Sequence, residues 1–105
     1  IWCIFQPHQY QRTFYLFEDF VKVLQNIPIQ KLIITDIYDV PGRENKVIKK
    51  LVSAKKLVKA IQNPSVIYLK KDEIFHFLKK QLKGKNEVVI FMGAGDIYDL
   101  ATKFL

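Results

Sequence analysis

The stretch IWCIFQPHQYQRT, residues 1–13, joins an apolar run to a polar turn and the beginning of a helical pattern. Residues 1–5 form a short, continuous apolar run, which is typical of a strand buried on both faces. Thr13 is suited to be a helix N-cap, because apolar residues follow it at helical spacing: Leu16, Phe17, Phe20, Val21 and Leu24. This stretch therefore predicts a strand, a turn and a helix, the first unit of an α/β fold.

The same alternation of short apolar runs and amphipathic segments continues along the chain. Further strands are predicted at residues 31–37, 66–69 and 87–92. Helices are predicted after Ser53, after Asp72 and after the turn at residues 93–96. Residues 47–52 fit either a helix or an extended segment. The order predicts one α/β domain of 105 residues with a three-layer, Rossmann-like, mostly parallel sheet flanked by helices.

The net charge of +7 raises the question of an anionic partner. Of the 17 basic residues only Arg12 and Arg43 are arginines, whereas base readers and phosphate clamps favour the planar guanidinium. Residues 45–71 contain eight lysines and no acidic residue. Two interpretations stay open for this stretch: a solvated surface, or the anion-facing patch of a basic nucleic-acid-binding module.

The single cysteine and the lengths of the apolar runs narrow the class of protein. Cys3 excludes an internal disulfide framework and fits a small buried side chain, which indicates a reducing compartment such as the cytoplasm. No apolar run approaches the roughly 18 residues of a membrane span, so we expect no membrane partner. The chain opens without a Met and inside a predicted strand, so we expect a fragment truncated at the N-terminal edge of its domain.

In parallel α/β sheets ligands bind beyond the carboxyl ends of the strands, which directs attention to residues 6–13, 36–46, about 70–72 and 93–96. In the first segment Arg12 precedes the predicted helix N-terminus, where a guanidinium could bind a carboxylate or phosphate. It could equally be a surface residue that pairs with Glu18 or Asp19. His8 could donate to a ligand, act as a general base or be an ordinary turn residue.

The other strand ends carry carboxylates and glycines. Asp36 could hold a substrate ammonium, help to arrange Mg²⁺ or cap a turn. Tyr38 and Glu44 follow it in the chain. The turn Gly93-Ala94-Gly95 would let backbone amides approach an anionic group, and it leaves a free-standing nucleotide-binding domain as an alternative. The third glycine of the dinucleotide fingerprint is absent, and no metal-ligand spacing or phosphate loop is present, so we expect no metal site.

Several of these motifs occur together in one known family. The segment FQPHQYQRT at residues 5–13, Asp36-Ile37-Tyr38 and residues 93–97, GAGDI, are similar in order and spacing to the C-terminal domain of the L-alanine-adding Mur ligases. The resemblance covers essentially the whole chain, and residues 5–13 are its most specific part. It identifies residues 1–105 as a Mur ligase C-terminal domain without the N-terminal and central ATP-binding domains.

The resemblance implies an ATP-dependent amide ligase of peptidoglycan synthesis. Its substrates would be UDP-N-acetylmuramate, L-alanine and ATP with Mg²⁺, and its cofactors would be bound mainly by the central domain. The partners of this domain would be the enzyme's own other domains, and neither nucleic acid nor a membrane. Arg12 and His8 would be catalytic, and the substrate would be bound by Asp36, Tyr38, Glu44, Gly93, Ala94 and Gly95. The fragment alone would be inactive.

Two positions depart from the family's pattern. Gln9 stands where the family commonly has Arg, so one cationic contact is missing or is supplied elsewhere. The loop from Asp39 to Glu44 is slightly longer than usual, which leaves the equivalence of Glu44 to the family's Glu open.

Overall fold

The computed structural model describes residues 1–39, 42, 46–82 and 87–103. Within these residues the elements are, in chain order, β1 Trp2–Phe5, α1 Tyr10–Tyr15, α2 Phe17–Gln25, β2 Lys31–Ile34, α3 Lys46–Leu51, α4 Ala54–Ile61, β3 Val66–Tyr68, α5 Lys71–Gln81, β4 Val89–Met92 and α6 Ile97–Thr102. The predicted alternation of strands with helical segments is confirmed, but each of the first two connections contains two helices rather than one. Residues 47–52 prove to be mostly helical.

The four strands form one sheet in the order β3-β2-β1-β4, and every pairing is parallel. The chain builds outward from β1 to β2 and β3, and then crosses back to place β4 on the other side of β1. This reversal creates a topological switch point between β1 and β4, beside which ligands bind in doubly wound folds. The predicted fold class is therefore confirmed.

Helices cover the sheet on both faces, and alternate strand residues enter two separate cores. Cys3, Leu32 and Ile34 pack on the face that α2 and α4 cover. Ile4 and Ile33 pack on the other face, against α5 and α6. Because both faces are buried, the strands read as unbroken apolar runs. Cys3 is buried, as predicted, and burial raises the pKa of its thiol.

The edge strand β4 is less well covered than the centre of the sheet. Its register places Ile90 beside Cys3 and Met92 beside Phe5. Ile90 and Met92 are nevertheless 42% and 37% exposed, since no described helix covers this face of β4.

The prediction that Thr13 is an N-cap is wrong. Helix α1 begins three residues earlier, and Thr13 lies buried inside it with its hydroxyl donating to the carbonyl oxygen of Gln9 at 2.8 Å. A break at Leu16 separates α1 from α2, and Leu16 is exposed rather than part of the core stripe. The helix start is set by Gln9, which has a φ of 71° and accepts a hydrogen bond from the Thr13 N–H.

Of the two other predicted N-caps, one is confirmed and one is wrong. The Ser53 hydroxyl accepts a hydrogen bond from the Lys56 N–H, as an N-cap should. Helix α5 is capped at Lys70 rather than at Asp72, because the Glu73 carboxylate reaches back to accept from the Lys70 N–H at 2.9 Å. Strand β2 ends at Ile34, three residues before the predicted end, and leaves Asp36 and Tyr38 in the following loop.

Among the described residues, no helix combines the length and the hydropathy needed to cross a bilayer.

Candidate functional site

Two neighbouring cavities lie at the carboxyl ends of the strands. The smaller, of about 320 Å³, is lined by residues 35–39, which follow β2, and by Gln6, Lys71 and Asp96. The larger, of about 470 Å³, lies beside the beginning of α5 and the helix α6. Asp36 and Lys71 line both cavities. The segments chosen from the sequence by the strand-end rule are therefore brought together.

A three-residue network closes the switch point between β1 and β4. Gln6, which is only 4% exposed, donates from Nε2 to Asp96 Oδ1 at 2.6 Å and accepts the Ile97 N–H at Oε1. Lys71 Nζ donates to the other oxygen of Asp96 at 2.5 Å. The hydrogen bonds from Gln6 and then from Lys71 lower the pKa of Asp96. Asp96 is therefore a carboxylate that joins β1, α5 and α6.

His8 and Tyr38 join the segments that follow β1 and β2. The Tyr38 N–H donates to the carbonyl of Pro7 at 2.8 Å, and the Gln9 N–H donates to the carbonyl of Tyr38 at 2.9 Å. The His8 and Tyr38 rings stack with centroids 5.4 Å apart. His8 Nδ1 is buried and has no hydrogen-bond partner within the described part of the chain. Tyr38 lines the smaller cavity, whereas His8 contacts Tyr38 without lining the cavity itself.

Asp36 is held by a residue that lies on another strand. The hydroxyl of Tyr68, at the end of β3, donates to Asp36 Oδ1 at 2.5 Å. Burial, followed by this hydrogen bond, raises the pKa of Tyr68 well above its ordinary value. Tyr68 is therefore protonated at neutral pH, and its hydroxyl can donate.

Thr35 contributes a polar group that has no partner. Its side chain has no exposed surface, and Oγ1 forms no hydrogen bond with any described residue. A buried hydroxyl without a partner is unfavourable by about 1–3 kcal/mol, so native structures usually supply one. Thr35 also lines the smaller cavity, but its hydroxyl is enclosed by protein and is not itself presented to that space.

The glycines predicted to bind an anion have a packing role. A Cβ on Gly95 would lie 2.5 Å from the Tyr38 ring and 2.9 Å from Gln6 Oε1. A Cβ on Gly93 would lie 2.8 Å from Cγ2 of Ile97. The first N–H of α6 is already bonded to Gln6. Binding of substrate by Gly93, Ala94 and Gly95 stays a prediction, while close packing explains why two of them are glycines.

Arg12 is not where the sequence predicted. It lies in the last turn of α1 rather than before a helix N-terminus, and its side chain is exposed. It lines neither cavity, and among the described residues it forms no ion pair with Glu18 or Asp19. The guanidinium therefore forms no ion pair with any carboxylate in the described part of the chain. Glu44 lies outside the described residues.

The sequence is closely similar to one group of enzymes over its whole length. It is 44% identical to the UDP-N-acetylmuramate–L-alanine ligase of Aquifex aeolicus over 102 residues, 97% of this chain and 20% of that protein. It is 39% identical to the ligase of the same name from Clostridium tetani over 106 residues, 100% of this chain and 22% of that protein. No protein-family model matches the chain.

The chain belongs to the UDP-N-acetylmuramate–L-alanine ligase family. It spans about a fifth of the length of these relatives. The resemblance found in the motifs is thus confirmed, and the comparisons give no support to a nucleic-acid-binding module.

Sequence reasoning missed four residues of this candidate site: Thr35, Tyr68, Lys71 and Asp96. The strand-end rule selected the neighbourhoods of Lys71 and Asp96, but it could not show that they pair across 25 residues of sequence. In the sequence pattern Tyr68 could not be distinguished from an ordinary aromatic residue of a strand. Thr35 could likewise not be distinguished from an ordinary strand residue. In residues 1–39, 42, 46–82 and 87–103, no group of three or more His, Cys, Asp or Glu side chains is arranged to hold a metal ion.

Proposed function

We propose that the chain is the C-terminal domain of an ATP-dependent ligase that joins L-alanine to UDP-N-acetylmuramate in peptidoglycan synthesis. The observation that carries the proposal is the 44% identity to a ligase of that name across 97% of this chain. Because the chain covers only a fifth of that relative, the complete reaction requires the rest of the enzyme. Its nucleotide substrates place the enzyme in the cytoplasm.

The role of this domain is to bind L-alanine in the smaller cavity. L-Alanine at neutral pH carries an ammonium and a carboxylate, and the cavity offers groups of both signs. Asp36 is suited to the ammonium, and Lys71 is suited to the carboxylate. Asp39 lines the same cavity, where its Oδ2 is already paired with Lys49 at 2.5 Å. A cavity of about 320 Å³ is large enough for an amino acid of this size.

In the proposed reaction, the lactyl carboxylate of UDP-N-acetylmuramate attacks the γ-phosphorus of ATP and gives an acyl phosphate and ADP. The L-alanine nitrogen, after loss of a proton, attacks the acyl carbon, and phosphate leaves as the amide bond forms. This domain holds the amine in place and excludes water. The described residues contain no group of three or more potential metal ligands, and in this proposal ATP and Mg²⁺ are bound mainly by the central domain of the enzyme.

Arg12 and His8 have separate parts in this proposal. Arg12 projects from the exposed surface of α1, where its guanidinium would meet an anionic group carried by another domain when the active site closes. His8 would fix the wall of the cavity through its stack on Tyr38.

Phosphate release by the full-length protein tests the function. It should require UDP-N-acetylmuramate, L-alanine and ATP together, and the isolated chain should release none. Asp36→Asn should raise the KM for L-alanine at least about tenfold, since one charged hydrogen bond is lost. The exposed Glu87→Gln serves as a charge-matched control. Release that does not depend on L-alanine would refute the reaction, and an unchanged KM in Asp36→Asn would refute the binding role.

A further inference from the structure

Tyr68 joins the edge of the sheet to the candidate L-alanine site. It is the last residue of β3 and pairs in register with Ile34, two residues before Asp36. Its ring packs against the core beneath α2 and α4, while its hydroxyl donates to Asp36 Oδ1. The side chain therefore has one end in the core and the other at the wall that separates the two cavities.

The Tyr68 ring is held in place on more than one side. Lys55 of α4 places Nζ 5.4 Å from the ring centroid, a cation–π arrangement, and the side chain also packs against the apolar core. A ring fixed in this way presents its hydroxyl at a defined position. The hydroxyl can then fix whatever accepts its hydrogen bond.

The Asp36 carboxylate needs such a fixed partner. Asp36 lies in an exposed loop beyond the end of β2, where an aspartate side chain is otherwise free to change rotamer. Tyr68 occupies only Oδ1, and none of the described residues donates a hydrogen bond to Oδ2. One oxygen is thus held by the protein, and the other is open to a ligand.

We propose that Tyr68 is a positioning residue for L-alanine, which fixes the Asp36 carboxylate so that its second oxygen receives the substrate ammonium. This inference rests on the proposed function, and it adds a residue that does not itself line either cavity. Tyr68 acts through Asp36: orienting the carboxylate in advance lowers the ordering cost of binding the amino acid.

Tyr68→Phe in the full-length ligase isolates the hydroxyl, because the ring, its packing and its contact with Lys55 are kept. The KM for L-alanine should rise about tenfold, which corresponds to about 1.4 kcal/mol. The kcat should change less than about threefold, and the KM values for ATP and UDP-N-acetylmuramate should stay the same. A purely structural role would instead lower kcat or change all three KM values together.

Tyr98→Phe is the matched control, since Tyr98 is 71% exposed on α6 and its hydroxyl has no described partner. It should leave every kinetic constant unchanged. An unchanged KM for L-alanine in Tyr68→Phe would overturn the positioning role.

A double-mutant cycle separates this inference from the proposed function. If Tyr68 acts through Asp36, Tyr68→Phe should have no further effect on the KM for L-alanine in an Asp36→Asn background. Independent, multiplying effects would contradict the inference. If Asp36→Asn itself has no effect, the binding role in the proposed function fails. If Asp36→Asn is impaired and Tyr68→Phe is not, only the role of Tyr68 fails.

Discussion

The imidazole of His8 lies almost parallel to the phenol ring of Tyr38, with 12° between the ring planes and 5.4 Å between their centroids. The backbones beneath the two rings are joined by hydrogen bonds on both sides of Tyr38. The segments that follow β1 and β2 are therefore fixed to each other beyond the end of the sheet. This pairing gives the cavity wall a rigidity that loops usually lack.

Gln9→Gly should stabilise the domain by about 1 kcal/mol. Gln9 has a φ of 71°, which is unfavourable for a residue with a Cβ, and the relief exceeds the added freedom of the unfolded chain. Thermal unfolding should show a melting temperature higher by about 4–8 °C. Gln11→Gly, inside α1, should instead lower the melting temperature, because glycine weakens a helix interior. A lower melting temperature for Gln9→Gly would contradict strain at this position.

Gly95→Ala should destabilise the domain by about 1–3 kcal/mol. The new methyl group would lie 2.5 Å from the Tyr38 ring, so the ring or the turn must move. Urea unfolding of the isolated domain measures this effect, and Ala94→Ser at the exposed neighbouring position is the control. In the full-length ligase the same variant should also weaken L-alanine binding, since Tyr38 lines the cavity. Unfolding at the wild-type urea concentration would show that the packing is looser than described.

Asp96→Asn should destabilise the domain by about 1 kcal/mol at neutral pH, a modest value because the side chain is 42% exposed. Since folding lowers the pKa of Asp96 below 3.8, its contribution is complete above that pH and is lost as the pH falls through the folded value. The difference between wild type and variant should therefore be constant at neutral pH and shrink as the pH falls below 3.8. Denaturant unfolding measured from neutral to acidic pH tests this pH dependence of the stability difference. Asp99→Asn in α6 is the control. A difference that grows in acid would refute the assigned ionisation.

Arg12→Ala in the full-length ligase should lower kcat by about 100-fold or more, as expected for a group that meets charge developing in the transition state. The melting temperature should hardly change, because the guanidinium has no described ion-pair partner. Lys22→Ala, another exposed cation close in sequence, should retain wild-type turnover. Turnover of Arg12→Ala at the wild-type rate would remove Arg12 from the catalytic machinery.

Much of the fold could be predicted because its signals are local. The strands are apolar runs, and Ser53 caps α4 through a residue three positions away. The failures have non-local or competing causes. Helix α1 begins at Tyr10 because the Gln9 N–H is bonded to the carbonyl of Tyr38. Helix α5 is capped at Lys70 rather than at nearby Asp72, because the Lys70 N–H donates to the Glu73 carboxylate.

The site could be predicted only in outline. The strand-end rule selects Asp36 and Tyr38 because parallel strands all end at one edge. The pairing of Gln6 with Asp96 spans 90 residues and depends on the strand order, which a single sequence does not specify. Arg12 was misplaced because one helix was predicted where the chain forms two.

The face of β4 that no described helix covers has a practical consequence for anyone who prepares this domain by itself. Ile90 and Met92 present apolar side chains there, and β4 pairs with β1 alone among the described strands. Such an edge can accept a strand from another chain, so concentrated solutions of the isolated domain should self-associate. Ile90→Lys would place a charge on that edge and keep the protein monomeric, which makes it the variant of choice for crystallisation and NMR.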